Sequence, residues 1–188
     1  MMNKLTQRHI FTRAERRKFM KSTETFEELI FVRLGFMAGL RISECASLKV
    51  KDVLVEEEVL HIRKSKRNKS RYANVDLSTI LLLNAYAKAN DLRENDYFFR
   101  SEKKPGRHLH TRTLGRAFEK VLERSLITRI RPTSHTMRHT NITMLLEKGM
   151  PIEQVQEHAG HTDIKYTLIY THLTYQTRAK FYSDIMGE

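Results

Sequence analysis

Apolar positions along this chain recur mostly at helical spacing, with one short stretch of strict alternation. Thr12 followed by Glu15 is a capping-box signature, and it opens a basic helix over FTRAERRKFM. From Phe26 to Met37 the residues are apolar nearly all round, which predicts a buried helix. Gly39 breaks it, and a short helix is expected at SECASL. Leu60 and Ile62 then alternate with Val59, His61 and Arg63; beyond a polar turn, Arg71, Ala73 and Val75 alternate with Tyr72 and Asn74. A period of two predicts a β-hairpin, with the basic loop KSKRNKS between its strands. Helical spacing returns over Ser78 to Lys88 and over Thr111 to Arg124, where Leu114, Phe118, Val121 and Leu122 mark a core side. A further helix opens near Ser134 and stops at Gly149, Pro151 suits the first turn of the next, and a last one is expected from Thr174 to Met186. The predicted fold class is mainly α with a small antiparallel β-sheet.

Composition narrows the class of protein. A chain of 188 residues fits one domain with a real core, and 7 Gly and 3 Pro leave no low-complexity linker. Lys and Arg number 34 against 22 Asp and Glu, a net charge of +12. Such an excess suggests a polyanionic partner, nucleic acid being the commonest, with a merely soluble basic protein as the other reading. The single cysteine, Cys45, excludes an internal disulfide and lies in an apolar helical stretch, so an inert core thiol is expected. The N-terminus lacks an apolar signal region, and the run from Leu29 to Leu40 is too short to span a bilayer and is interrupted by Arg33. A soluble cytoplasmic protein with no membrane association is expected.

Four polar clusters interrupt this patterned structure. In GLRISE, Arg41 follows a buried helix, where a charge needs a partner, and Glu44 is the local one. A plain helix–helix salt bridge is one reading of that pair. The hairpin loop carries Lys64, Lys66, Arg67, Lys69 and Arg71, either a solvated basic turn or a DNA-facing patch. In SHTMRHT, His135, Arg138 and His139 stand at i, i+3 and i+4 on one helical face. Zinc bound by His135, His139 and His161 competes with anion binding there. Thr136 stands where a zinc protease would have its Glu, and a guanidinium between imidazoles suits phosphate oxygens better than a cation. The fourth cluster, EHAGHTDIKYTLIYTHLTY, is dense in histidine and tyrosine, although no single one of them persuades. Glu56, Glu57 and Glu58 read as a solvated turn, so no acidic cluster suggests a two-metal site.

The order of GLRISE, a hairpin lysine, HTMRH, and GH followed nine residues later by Tyr resembles the tyrosine recombinase/phage integrase family, over residues 11–181. The resemblance implies the family's catalytic-domain fold. It makes Arg41, Lys66, His135, Arg138, His161 and Tyr170 the catalytic set, with Glu44 and His139 in support. Lys64, Arg67, Lys69 and Arg71 are expected to contact DNA. Tyr166 and Tyr175 compete with Tyr170, but the spacing from His161 and the YTH tripeptide favour Tyr170. Ala159 replaces a Leu usual in the family, and Arg67 stands where Gly is common, so Lys64 and Lys69 compete with Lys66. The expectation is a single catalytic domain over 1–188, without room for the family's N-terminal core-binding domain, as in its short members.

The implied chemistry cleaves and religates double-stranded DNA through a 3′-phosphotyrosyl bond, without cofactor, metal or ATP. Two guanidiniums would stabilise the charged phosphorus and His161 would add a hydrogen bond. Free tyrosine, with a pKa of about 10, needs a base or a cationic setting, and His135 is the candidate base. Lys66 would protonate the leaving 5′ oxygen. A tetramer on DNA, monomeric in solution, is expected in a prokaryotic, viral or mobile-element setting. The C-terminal AKFYSDIM is read as docking on a neighbouring copy or on its own domain. Type IB topoisomerase chemistry, a non-catalytic DNA-binding protein of the same fold and a zinc hydrolase remain the rivals.

Overall fold

The computed structural model describes residues 10–63 and 70–170. In chain order they form α1 (Arg13–Lys21), α2 (Phe26–Met37), α3 (Ile42–Ala46), β1 (Val53–Leu54), β2 (Val59–Ile62), β3 (Arg71–Asn74), α4 (Leu77–Ala89), α5 (Thr111–Ser125), α6 (Ser134–Glu147), α7 (Ile152–Ala159) and α8 (Lys165–Leu168). The helix between 174 and 186 and the docking segment AKFYSDIM, like Tyr175, lie outside the described residues.

Helix starts follow their caps. The Thr12 hydroxyl accepts the Glu15 N–H at 3.2 Å while the Glu15 carboxylate accepts the Thr12 N–H at 2.8 Å. Thr25 and Asp76 accept from the N3 amides of α2 and α4. Helix α2 is the centre of the bundle and packs on α4, α5 and α6. Its apolar character on every side follows from that position, although Phe26 at its first turn is exposed. Arg33, the one charge in its middle, turns out to Asp76 at 2.6 Å. Phe11, Phe19, Phe36 and Phe118 meet edge-on or tilted in the core beside it. Cys45 is buried there, and burial pushes its thiol pKa far up, as expected of an inert thiol.

The sheet is antiparallel in the order β1-β2-β3, with Leu60 opposite Ala73 and Ile62 opposite Arg71. Leu60, Ile62, Ala73 and Val75 point into the core, and Tyr72 points out. The alternation read from the sequence holds, and β1 is an added edge strand too short for a periodic signal. Glu56, Glu57 and Glu58 are exposed in the turn before β2. Helix α7 covers β3 and also packs on α6 and α8. Among the described residues no helix is long and apolar enough to cross a membrane.

Candidate active site

Four stretches of chain meet around one carboxylate. Arg41 sits at the N-cap of α3 in extended conformation, and Glu44 at its N3 position accepts the Arg41 backbone N–H at 2.8 Å. The chain reaches this point through Gly39, whose φ of +61° few other residues adopt. A Cβ at Gly39 would also lie 2.6 Å from Asn141 Oδ1, so two requirements keep the position bare.

Glu44 gathers three arginines. Its carboxylate accepts from the Arg41 guanidinium at 2.9 Å and from both terminal nitrogens of Arg71 at 2.8 and 3.0 Å, and Arg138 lies 4.0 Å away. Burial alone would raise the pKa of this acid. The Arg71 hydrogen bonds and charge, with help from Arg138, bring it down to about 2. It is therefore ionised at neutral pH, one negative charge among three positive ones.

Arg138 lies on the buried side of α6 and donates to the Gly39 carbonyl at 2.7 Å and to the Ala159 carbonyl. Burial and the neighbouring Arg41 push its pKa down to about 9. A guanidinium so strained by desolvation and by its own kind is a favourable place for an anion. Arg41, Arg138 and His161 line one open pocket together with His135, His139 and Tyr170.

The histidines differ sharply from one another. His161 follows Gly160, which ends α7 with φ +64°, and its Nδ1 lies 2.9 Å from the Thr167 hydroxyl. Burial, then the nearby arginines, lower its pKa to about 3, so it is neutral. If the Thr167 hydroxyl donates to Nδ1, the proton of the neutral ring is left on Nε2. His139 Nδ1 is hydrogen-bonded to the Tyr170 hydroxyl. His135, expected as the base, stands one turn earlier on α6. It is exposed at the pocket edge, with no hydrogen-bond partner among the described residues. The two histidines stand one turn apart on α6, and the later one, His139, is the one that meets Tyr170.

Tyr170 is only 2 % exposed, held against Ile142, Val155 and Ala159. Its rival Tyr166 is 60 % exposed. The turn α8 makes this selection, because its last residues direct Tyr170 back onto α6. No group of three His, Cys, Asp or Glu side chains is placed to hold a metal ion among the described residues.

Arg71 corrects an expectation. Read as a DNA-contacting residue of the basic loop, it is 8 % exposed and faces inward, bonded to Glu44 and, through Nε at 2.9 Å, to the His158 carbonyl. Register is the cause: Arg71 shares its parity with Ala73 and Val75, so the strand that buries them buries it. Lys64, Lys66, Arg67 and Lys69 lie outside the described residues. Three further residues carried no usable signal in the sequence. Thr167 orients His161, and Asn141 ties His158 to the end of α2, accepting from His158 Nε2 at 3.2 Å and donating to the Phe36 and Met37 carbonyls.

Known proteins resemble this chain in sequence and in fold. The phage integrase family matches residues 9–177. Tyrosine recombinase XerC of Chlamydia trachomatis is 32 % identical over 162 residues, 85 % of this chain and 50 % of that protein. The chain thus spans about half the length of that curated relative. The crystal structure of XerA recombinase superposes with a TM-score of 0.80 over 94 % of this chain and 64 % of that one, at 24 % identity, a likeness of fold. XerH site-specific recombinase, bound to a palindromic difH substrate in a post-cleavage complex, gives 0.77 at 26 % identity, over 99 % of this chain and 55 % of that one. With a family match that takes in nearly the whole chain, this protein belongs to the phage integrase family.

Proposed function

We propose that this chain is the catalytic unit of a site-specific DNA recombinase. It cleaves and rejoins strands through a 3′-phosphotyrosyl bond at Tyr170. The observation that carries the reading is the Tyr170 hydroxyl, held by His139 at a pocket whose other walls present Arg41, Arg138 and His161. That set offers a nucleophile, a group to receive its proton and two cations for the phosphate.

In this reading the Tyr170 oxygen attacks the scissile phosphorus and its proton passes to His139. The bond from phosphorus to the 5′ oxygen breaks, and that oxygen leaves as a hydroxyl after taking a proton, the role expected of Lys66. Arg41 and Arg138 balance the charge that builds on the non-bridging oxygens, and neutral His161 donates a hydrogen bond from Nε2. The arginines supply the positive charge that a metal would otherwise bring. The phosphotyrosyl bond keeps the energy of the broken one, so a 5′ hydroxyl can reverse the step without ATP. Four copies on two duplexes, each monomeric off DNA, complete the proposal.

The test is covalent trapping. The chain is incubated with a library of nicked duplexes of randomised sequence and denatured in SDS. Wild type should leave protein bound to DNA and Tyr170→Phe should leave none; equal yields from the two would overturn the reading. Affinity for uncut duplex should also fall on the order of a thousandfold between about 50 and 200 mM salt if about six phosphates are contacted.

A further inference from the structure

We infer that Arg71 is a positioning residue for this centre: it fixes the Glu44 carboxylate and the His158–Gly160 backbone, and through them aims Arg41, Arg138 and His161 at the scissile phosphate. The inference rests on the pocket being a phosphodiester site.

The geometry joins three elements, β3, α3 and α7. Arg71 comes from the first residue of β3, and its fork takes both oxygens of Glu44 on α3, at 2.8 and 3.0 Å. Its Nε takes the His158 carbonyl on α7. Its shaft closes over Gly160, where a Cβ would come 2.7 Å from Arg71 Cδ. The next residue is His161, and the preceding carbonyl, that of Ala159, receives Arg138. One side chain thus clamps the turn that carries one donor and receives another.

Its charge matters as well as its shape. Glu44 is largely shielded from water and needs cationic partners, and Arg71 supplies two of its hydrogen bonds. With Arg71 satisfying the carboxylate, Arg138 remains 4.0 Å from it and bonded instead to the Gly39 and Ala159 carbonyls. Without that fork, the carboxylate keeps only its Arg41 bonds and draws Arg138 inward, away from the pocket. A lysine keeps the charge but cannot span both oxygens and the carbonyl together.

A role confined to holding the hairpin on α7 would lower the amount of folded protein and nothing else. The experiment separates the two by comparing substrates on one preparation, so that any loss of folded protein cancels. Duplexes recovered from the trapping assay are made with either an ordinary scissile phosphodiester or a methylphosphonate, in which a methyl group replaces one non-bridging oxygen. The neutral phosphonate builds up less negative charge and depends less on how well the arginines are aimed. Arg71→Lys should slow single-turnover cleavage of the phosphodiester on the order of a hundredfold, and of the methylphosphonate by less than about tenfold. Gly160→Ala, which pushes Arg71 aside from another element, should give the same imbalance. A substrate with sulfur at the bridging 5′ position, whose leaving group needs no proton, should not restore the rate.

Equal losses on phosphodiester and methylphosphonate, no loss at all, or rescue by the bridging sulfur would each overturn the inference. Absence of any adduct with wild type is a different result: the phosphodiester reading itself then fails, and the role of Arg71 falls with it.

Discussion

Helices α2 and α6 lie side by side and bury opposite kinds of chemistry. The inner residues of α2 are Ile30, Phe31, Val32, Leu34 and Phe36, with Glu28 its one buried charge, whereas α6 buries Thr136, Arg138, Thr140, Asn141 and Thr143 beside the apolar Met137 and Ile142. Neither helix has one clearly apolar face, but for different reasons. Past its exposed first turn, helix α2 is enclosed by protein on most sides. Helix α6 faces the core through polar groups that hold other segments: Thr140 receives the Phe11 N–H at 3.0 Å, Asn141 holds the end of α2, and Arg138 holds two loops. The lesson is that α2 supplies stability and α6 supplies position. A buried polar side chain is stable only where its partners are, so each one on α6 fixes where a neighbouring loop must sit.

Four measurements can break or sharpen that contrast. The largest effect is expected at Arg138. Arg138→Met should reduce single-turnover DNA cleavage on the order of a thousandfold, as loss of a transition-state donor does. It should change the melting temperature less than a core truncation does, because the charge it removes is one that burial disfavours. Phe19→Ala is the counterpart in the apolar core. Phe19 is fully buried among Phe11, Phe36 and Phe118, so the variant should lose about 3–5 kcal/mol in urea denaturation. Cleavage per folded molecule should stay near wild type. If Arg138→Met proves the less stable of the two, the division of labour is wrong.

Acid should expose the polar side of the contrast next. Burial, then Arg71 and Arg138, depress the pKa of His158 from 6.5 to about 4. The neutral ring is the one that folds, so its contribution is complete above pH 6.5 and is lost as pH falls toward 4. That amounts to about 3 kcal/mol across the window. His158→Gln, which keeps a donor toward Asn141, should flatten this part of a stability–pH curve. A second fall, from Glu44 with its pKa held near 2, should follow below pH 4.5 in both proteins. The smallest effect belongs to the cap of α2. Thr25→Ala removes one acceptor from the Glu28 N–H and should cost about 1 kcal/mol with no change in cleavage.

Legibility in the sequence follows the same division. The cap at Thr12, the apolar helix α2 and the two-residue period of the hairpin are local, and each reads directly from neighbouring residues. Helix α8 has too few residues to show a period, and β1 has only two. Arg71 is a more instructive case, since its burial was encoded in its parity with Ala73 and Val75, while its charge and place beside a basic loop argued for the surface. Charge settles location only where no buried partner exists, and the partner, Glu44, is 27 residues away.

By itself, then, the sequence determined the helices, the hairpin and the parity of each strand residue, because these depend on spacing, which the chain carries locally. The groups Arg41, Glu44, Arg138, His161 and Tyr170 were singled out by the resemblance of four separated motifs to a family. Tertiary structure alone decided which histidine meets Tyr170, that Tyr170 and not Tyr166 is turned inward, and that Arg71 joins Arg41 and Arg138 around Glu44. Each of those outcomes depends on hydrogen bonds between segments far apart in the chain. Their energies exist only once burial has removed water from both partners at the same place.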